Sequence, residues 1–412
     1  MKKSLILYAC TIALFFGCSA DEPLTQDFVL PDDPMDVPEG LVIENGPVPI
    51  EFSIGTGRLE TRSPGSVDAS DMNCKDLGVF CLSRKPINGS SLGVRWDQTG
   101  NPLANLARVW INNAKARMKS KNGGGAELLW DDGVKEHFYP ASNSTYDFAY
   151  GFAVYHPLTD TLRYGIHLIS GVFEIDGNTD IFSGVVGAPA VSGTGFSTDY
   201  YRVEGGTVKP SVTIKHRLTK LNIKIRLENA SSNSKGFVVD SVWIPDMPSV
   251  LVIPLVQFNS TTMDVENPTY STAISTSSDN FRTLTLREHD GTSIRDNSYQ
   301  VTNQYPALPI GDGIMIPPIN PTTITNSSKY NLYSTFKVYT RLIDADGGVY
   351  TFKTTIPPPN NGGQGWQEGS EYPINIVVNP TTPTDIGIAS SASMMNWDNG
   401  SSYVDSEFNG TE

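Results

Sequence analysis

The chain has 412 residues, 39% of them apolar and 18% charged, with a net charge of −14 and a pI near 4.8. That apolar content excludes an intrinsically disordered protein, and the length allows two or three domains. The acidic balance argues against a nucleic-acid binder, whose affinity rests on Lys and Arg neutralising phosphates.

The N-terminus has the layout of a bacterial export signal. Lys2 and Lys3 precede the apolar run Leu5 to Gly17, and the chain turns polar at Ser19. The run is too short to span a bilayer as a helix, which takes roughly 20 residues. Cys18 directly follows the small residue Gly17. This order marks residues 1–17 as a lipoprotein signal peptide and Cys18 as the lipidation site, an acyl chain such as palmitate being carried at the new N-terminus. An ordinary signal peptide with a chance cysteine is the alternative. Cys10 is a weaker candidate because it leaves too short an apolar run. Residues 18–47 are rich in Pro, Asp and Glu and read as an extended tether.

Strand signals begin at Ile50. Ile50, Phe52 and Ile54 alternate with Glu51 and Ser53, the period of a half-buried strand. A turn-rich stretch containing Arg58 and Arg62 follows. Cys74 and Cys81 are the only cysteines after the leader. In an exported chain a small-loop disulfide fits them, and so do two buried thiols. Residues 101–119 fit either one short helix or a strand. Phe148, Tyr150 and Phe152 alternate up to Tyr155-His156-Pro157.

Gly205 to Pro210 is the best boundary, dividing residues 48–205 from residues 206–412. In Val212 to Leu227 the apolar residues change parity, from Val212, Ile214 and Leu218 to Leu221, Ile223, Ile225 and Leu227. A strand changes face only with an extra residue, so a bulge or bend is expected near Thr219-Lys220. Phe336, Val338, Thr340 and Leu342 form one strand face. Asp344 to Gly348 turns the chain back into Val349 to Lys353, and Tyr372, Ile374, Ile376 and Val378 form another strand. Many short strands with polar turns imply an all-β chain of two β-sandwich domains.

Motifs for chemistry are missing. The five histidines, His137, His156, His167, His216 and His289, show no metal-ligand spacing. There is no GxSxG elbow, Walker loop or HExxH. Asp176-x-Asn178-x-Asp180 and Asp344-x-Asp346-Gly347 lack the twelfth-position acid of a calcium loop and read as turns. No catalytic residue, metal or cofactor is expected, and no enzyme activity.

Several segments in order resemble the fimbrillin family of Bacteroidetes, the subunits of type V pili and their minor components. They are VWINNAKARMKSKNGGGAELLWDDGVKEHFYPASNSTYDFAYGFAVYHP (Val109 to Pro157), GNTDIFSG (Gly177 to Gly184), VTIKHRLTKLNIKIRL (Val212 to Leu227), WQEGSEYPINIVV and MMNWDNG. Residues 158–178 and 250–335 match least. The resemblance implies two transthyretin-like Greek-key β-sandwiches with long loops. It also implies export as a lipoprotein to the cell outer membrane and an extracellular fimbrium in which other pilus subunits are the partners. In many members an Arg-specific protease removes the first strand, and the freed groove takes a strand from a neighbour. Ile50, Phe52 and Ile54 would be that removable strand, with cleavage at Arg62 or Arg58; the alternative is an uncut loop with two solvated arginines, which leaves Cys18 as the anchor. A donor strand would come from the C-terminus, where Ile386, Ile388, Ala392 and Met394 share one parity; the same segment fits equally as the last strand of its own fold. A chain with no tail to donate would suit a tip position, and a host or bacterial surface ligand is then expected.

The alternative is a surface glycan-binding lipoprotein of a polysaccharide-uptake system. Trp96, Trp110, Trp130, Trp243 and Trp366 are its candidate sugar platforms, although most of them fit the capping of cores better.

Overall fold

The computed structural model describes residues 48–396 except 56–75, 84–108, 121–125, 135, 141–149, 165–166, 188–194, 204–208, 229–235, 262–263, 270–271, 275–279, 305–306, 308, 320–335, 360–362 and 379–394. Cys18, Arg58, Arg62, Cys74, Ile386, Ile388, Ala392 and Met394 lie outside the described residues.

The described chain is almost entirely β. The strands in order are β1 (Ser53–Gly55), β2 (Leu77–Ser83), β3 (Val109–Ser120), β4 (Ala126–Trp130), β5 (Tyr150–His156), β6 (Leu162–Tyr164), β7 (Leu168–Glu174), β8 (Phe182–Val186), β9 (Ser211–His216) and β10 (Thr219–Leu227). There follow β11 (Val238–Pro248), β12 (Val250–Phe258), β13 (Val265–Glu266), β14 (Ala273–Ile274), β15 (Phe281–Thr285), β16 (Ile314–Ile316), β17 (Phe336–Ile343), β18 (Val349–Ile356), β19 (Ser370–Val378) and β20 (Met395–Asn396). One short helix, α1 (Thr198–Val203), sits between β8 and β9. Val109 onward is therefore strand and not helix; its branched and alternating apolar residues favour a pleated surface.

The strands form four hydrogen-bonded assemblies. The first closes on itself as a barrel in the order β1-β4-β3-β2-β5-β8-β9. The second and third are four-stranded sheets, β16-β10-β19-β20 and β15-β11-β17-β18. The fourth has the order β13-β12-β7-β6, with β14 also on β12. Its central pair, β7 with β12, joins chain from either side of β9 in seven registered pairs. These are the two regions that resembled the family least.

Alternation explains which side chains meet. In β2, Leu77, Val79 and Cys81 enter the barrel core, while Phe80 and Leu82 face outward into a second core. In β5, Tyr150, Phe152 and Val154 point in and Ala153 and Tyr155 point out. Both faces of these central strands are buried, so they read as nearly continuous apolar runs. The second core joins their outward side chains to β7, β12 and the paired sheets, including Leu221, Ile223, Val338, Trp366 and Ile374.

Of the two alternatives for Cys81 the buried thiol is found: it is a free thiol, fully buried in the barrel, where position 81 shares the inward face with Leu77 and Val79. Val212 to Leu227 breaks next to the place expected for a bulge or bend, as a bend at Leu218 between two strands: β9 ends at His216, Arg217 and Leu218 lie outside the strands, and β10 begins at Thr219. Parity changes because the chain changes sheets. Val212 and Ile214 face the barrel core, and Leu221, Ile223 and Ile225 face the second core. The barrel thus draws on chain from both sides of the Gly205–Pro210 boundary.

The two faint calcium-loop patterns are turns. The Asp344 carboxylate accepts from the Asp346 and Gly348 N–H groups and the Tyr350 hydroxyl. The Asp176 carboxylate accepts from the Asn178 and Thr179 N–H groups.

Candidate functional site

The barrel is closed by its shortest stave. β1 runs antiparallel to β4, with Ser53 opposite Glu127 and Ile54 opposite Ala126. On its other side it runs parallel to β9, with Ser53, Ile54 and Gly55 opposite Ser211, Val212 and Thr213. The chain just before β1 is tied to a different segment. The Ile50 N–H donates to the His137 carbonyl at 2.8 Å, and the Tyr139 N–H donates to the Val48 carbonyl at 2.9 Å. Residues 48–55 are therefore a continuous strip held by backbone pairing on both flanks.

Its side chains obey the alternation read from sequence. Ile50 and Phe52 are buried, with 5% and 2% of their surfaces exposed, and Glu51 between them is exposed. Phe52 inserts edge-on among aromatic rings. Its centroid lies 4.7 Å from Phe152 and 6.2 Å from Trp130, at interplanar angles of 85° and 69°. Phe152 in turn contacts Tyr139 and Phe196. Edge-to-face pairs of this kind contribute about 0.5–1.5 kcal/mol beyond area burial. Burying Ile50 and Phe52 contributes about 1.5–3 kcal/mol each. Outside the barrel, Glu51 pairs with Lys209 just before β9. Both are substantially exposed, so the pair adds little.

The wall around this strip is tied together by hydrogen bonds and ring contacts. The Trp110 indole N–H donates to the Phe138 carbonyl at 2.7 Å. Trp130 packs on His137 at 4.2 Å, and His137 Nε2 meets Asp132 Oδ2 at 2.7 Å. Helix α1 covers the neighbouring end of the barrel, where Tyr201 stacks on Tyr139 at 5.7 Å. Burial pushes the Tyr139 and Tyr150 hydroxyls well above the usual tyrosine range, and pushes the Cys81 thiol up. All three belong to the dry interior that β1 closes.

The far end of β9 is fixed by a buried polar cluster. His216 Nδ1 meets Asp180 Oδ2 at 2.6 Å, with both side chains fully buried. Arg217 donates to Ser183 Oγ and to Glu368 Oε1, each at 2.7 Å. Thr272 donates to Glu368 Oε2 at 3.1 Å. Truncating one member of such a cluster leaves a charge buried without its partner, which costs several kcal/mol. Gly184 lets β9 approach β8: a Cβ there would meet the Thr213 carbonyl at 2.4 Å. Removing the 48–55 strip would therefore leave β4 and β9 held in place by their other contacts. It would expose two unpaired backbone edges and a slot lined by Phe152, Trp130 and Leu128.

The predicted site residues come together in part. Ile50 and Phe52 lie in the slot, and Ile54 continues the strip through its backbone pairing. Arg58 and Arg62 follow β1 in the chain, outside the described residues. Ile386, Ile388, Ala392 and Met394 also lie outside them, but the next two residues do not. β20 pairs antiparallel to β19 of its own chain, with Met395 opposite Glu371 and Asn396 opposite Ser370. Sequence reasoning missed the slot's walls, Trp130, Phe152 and Tyr139, and the lock between Asp180 and His216. Both depend on pairings between distant segments; only the aromatic density of residues 130–155 hinted at the first. Among the described residues, no group of three or more His, Cys, Asp or Glu side chains could hold a metal ion.

No family model and no curated protein matches the chain. Among solved structures it is similar to a protein of Bacteroides uniformis provisionally named a cell adhesion protein, at 14% identity and a TM-score of 0.44, over 85% of this chain and 98% of that one. It is also similar to a fimbrial protein of Bacteroides vulgatus, at 13% identity and a TM-score of 0.43, over 85% and 99% of the two chains. At those values the function has to be argued from this chain's own residues.

Proposed function

We propose that the protein is a structural and adhesive subunit of a cell-surface fimbria, delivered to the outer membrane as a lipoprotein through Cys18. The single observation that carries this reading is the stave β1. It is three residues long, lies between two longer strands, and precedes in the chain the stretch that bears Arg58 and Arg62. Cleavage after Arg62 or Arg58 would release lipid, tether and the 48–55 strip together. The opened slot then accepts a strand with apolar residues at alternate positions from another subunit. That strand restores the backbone pairs of β4 and β9 and fills the positions of Ile50 and Phe52, as strand addition does elsewhere.

β20 supports an accepting rather than a donating role. It ties the chain at Met395–Asn396 to its own β19, so a tip or other minor position fits better than a repeating stalk.

N-terminal sequencing of the protein recovered from cells, separated into fibre-bound and membrane-bound material, tests this. Fibre-bound chains are expected to begin at Ser63 or Leu59. If every chain began at Cys18, the cleavage step would be wrong.

A further inference from the structure

The outer face of the β15-β11-β17-β18 sheet carries a feature that assembly does not use. Cross-strand register places Thr285, Trp243, Tyr339 and Lys353 in one row. Their neighbours on the opposite face, Leu284, Val242, Val338 and Phe352, are core residues. Trp243 and Tyr339 stack nearly parallel, with centroids 5.5 Å apart and planes 13° apart. Both remain partly exposed.

Beside Thr285 the surface sinks into a hollow of about 540 Å³, within the range of small-molecule sites. Its lining is polar. Asp176 and Asn178 come from the turn between β7 and β8, Thr283 and Thr285 from β15, and Arg287 and Asp290 from the loop after it. Several of these groups are already oriented. Asp290 Oδ1 accepts from the Thr292 N–H and hydroxyl at 2.9 and 2.6 Å. Arg287 donates to the Gly291 carbonyl at 3.2 Å. Asn178 lines the hollow with its side-chain N–H donating to the Asp176 carbonyl at 3.3 Å and its Oδ1 accepting no hydrogen bond within the protein.

The chemistry of the lining selects the ligand. Asp176 and Asp290 offset the charge of Arg287, and His289, which also lines the hollow, faces Asp312 at 3.1 Å, so the hollow carries no net positive charge to hold phosphate or sulfate. The lining residues offer no apolar wall for a peptide side chain to fill. What they offer is hydroxyl, amide, carboxylate and guanidinium groups for ligand hydroxyls, with an aromatic pair at the rim for an aliphatic C–H face. A neutral sugar presents both surfaces on one ring. We propose that this hollow and the Trp243–Tyr339 pair together bind a neutral oligosaccharide, one ring lying on Trp243 and the next placing its hydroxyls against Asn178, Asp290 and Arg287. This goes beyond the assembly reading and does not rest on it, because the site lies on a different sheet from β1.

The test is binding of the purified full-length chain to an array of neutral mannose-, glucose- and N-acetyllactosamine-based oligosaccharides of two to six units, followed by calorimetric titration with the best-bound oligosaccharide. Trp243→Ala is expected to weaken that binding about tenfold or more. Asn178→Ala should weaken it several-fold, and Trp243→Phe should retain most of it. Unfolding curves identify any variant that fails to fold; Asn178→Ala and Thr283→Val then carry the test, both being substitutions outside the core. No binding on the array at millimolar sugar, or binding unchanged in Trp243→Ala and Asn178→Ala, overturns the proposal. So does selective binding of sulfated or sialylated glycans on a matched array.

Discussion

β1 and β19 are both strands placed between two others, yet they are held very differently. β19 pairs with β10 over eight consecutive positions, and Tyr372, Ile374, Ile376 and Val378 are completely buried beneath it. β1 makes three pairs with β9 and two with β4, and its strip offers two buried anchors, Ile50 and Phe52. Losing the strip would remove few backbone pairs and two buried anchors, whereas losing β19 would remove eight pairs with β10 and four fully buried side chains. Under the proposed assembly the first region is the one that exchanges and the second the one that stays.

The comparison can be broken by truncating one large ring in each region. Trp366 is fully buried between Phe336 and Tyr372, and Trp366→Ala should cost about 3–5 kcal/mol in denaturant unfolding. Phe52→Ala removes a ring of similar burial but should act locally. In Phe52→Ala, alkylation of Cys81, read by peptide mass, is expected to accelerate strongly at denaturant concentrations where far-ultraviolet circular dichroism stays native. Equal destabilisation by the two variants, with no faster alkylation of Cys81 in Phe52→Ala, would show that β1 is as integral as β19.

A smaller effect sharpens the description of the barrel interior. Burial holds the Cys81 thiol above its usual range in the folded protein. Its contribution is therefore fully present below the unfolded-state value, about 8.5, and is lost as pH rises towards the folded value. The stability of the parent should fall relative to Cys81→Ala above about pH 8.5, by up to about 1.4 kcal/mol per pH unit. Parallel curves for the two proteins in thermal melts from pH 7 to 10 would mean the thiol is not in a dry core. The smallest effect is expected at the surface. Lys209→Ala removes the partner of Glu51 and should cost under about 1 kcal/mol, with no change in Cys81 alkylation.

Parts of the slot are legible in the amino-acid pattern. Ile50 and Phe52 inside with Glu51 outside follow from a period of two, as does the face shared by Phe336, Val338, Thr340 and Leu342. The Asp344 and Asp176 turns follow from carboxylates that cap nearby N–H groups. The slot's walls are not legible there. Phe52 meets Phe152 and Trp130 only because β4 and β5 enter the same barrel. The parity change after Leu218 is visible, but a bulge and a change of sheet leave the same trace in sequence.

Local pattern is enough for the apolar face of strands such as Phe336–Ile343 and for turns such as Asp344–Gly348, because those depend on neighbours two to five positions away; it left residues 101–119 open between helix and strand. The partners come from the tertiary fold: β1 between β4 and β9, β7 with β12 across most of a domain's length, Asp180 against His216, and Thr285 beside Trp243. A strand's pattern specifies a buried face but not which other strand will cover it. Every backbone edge offers the same N–H and C=O groups, so the choice among partners falls to packing between residues far apart in the chain.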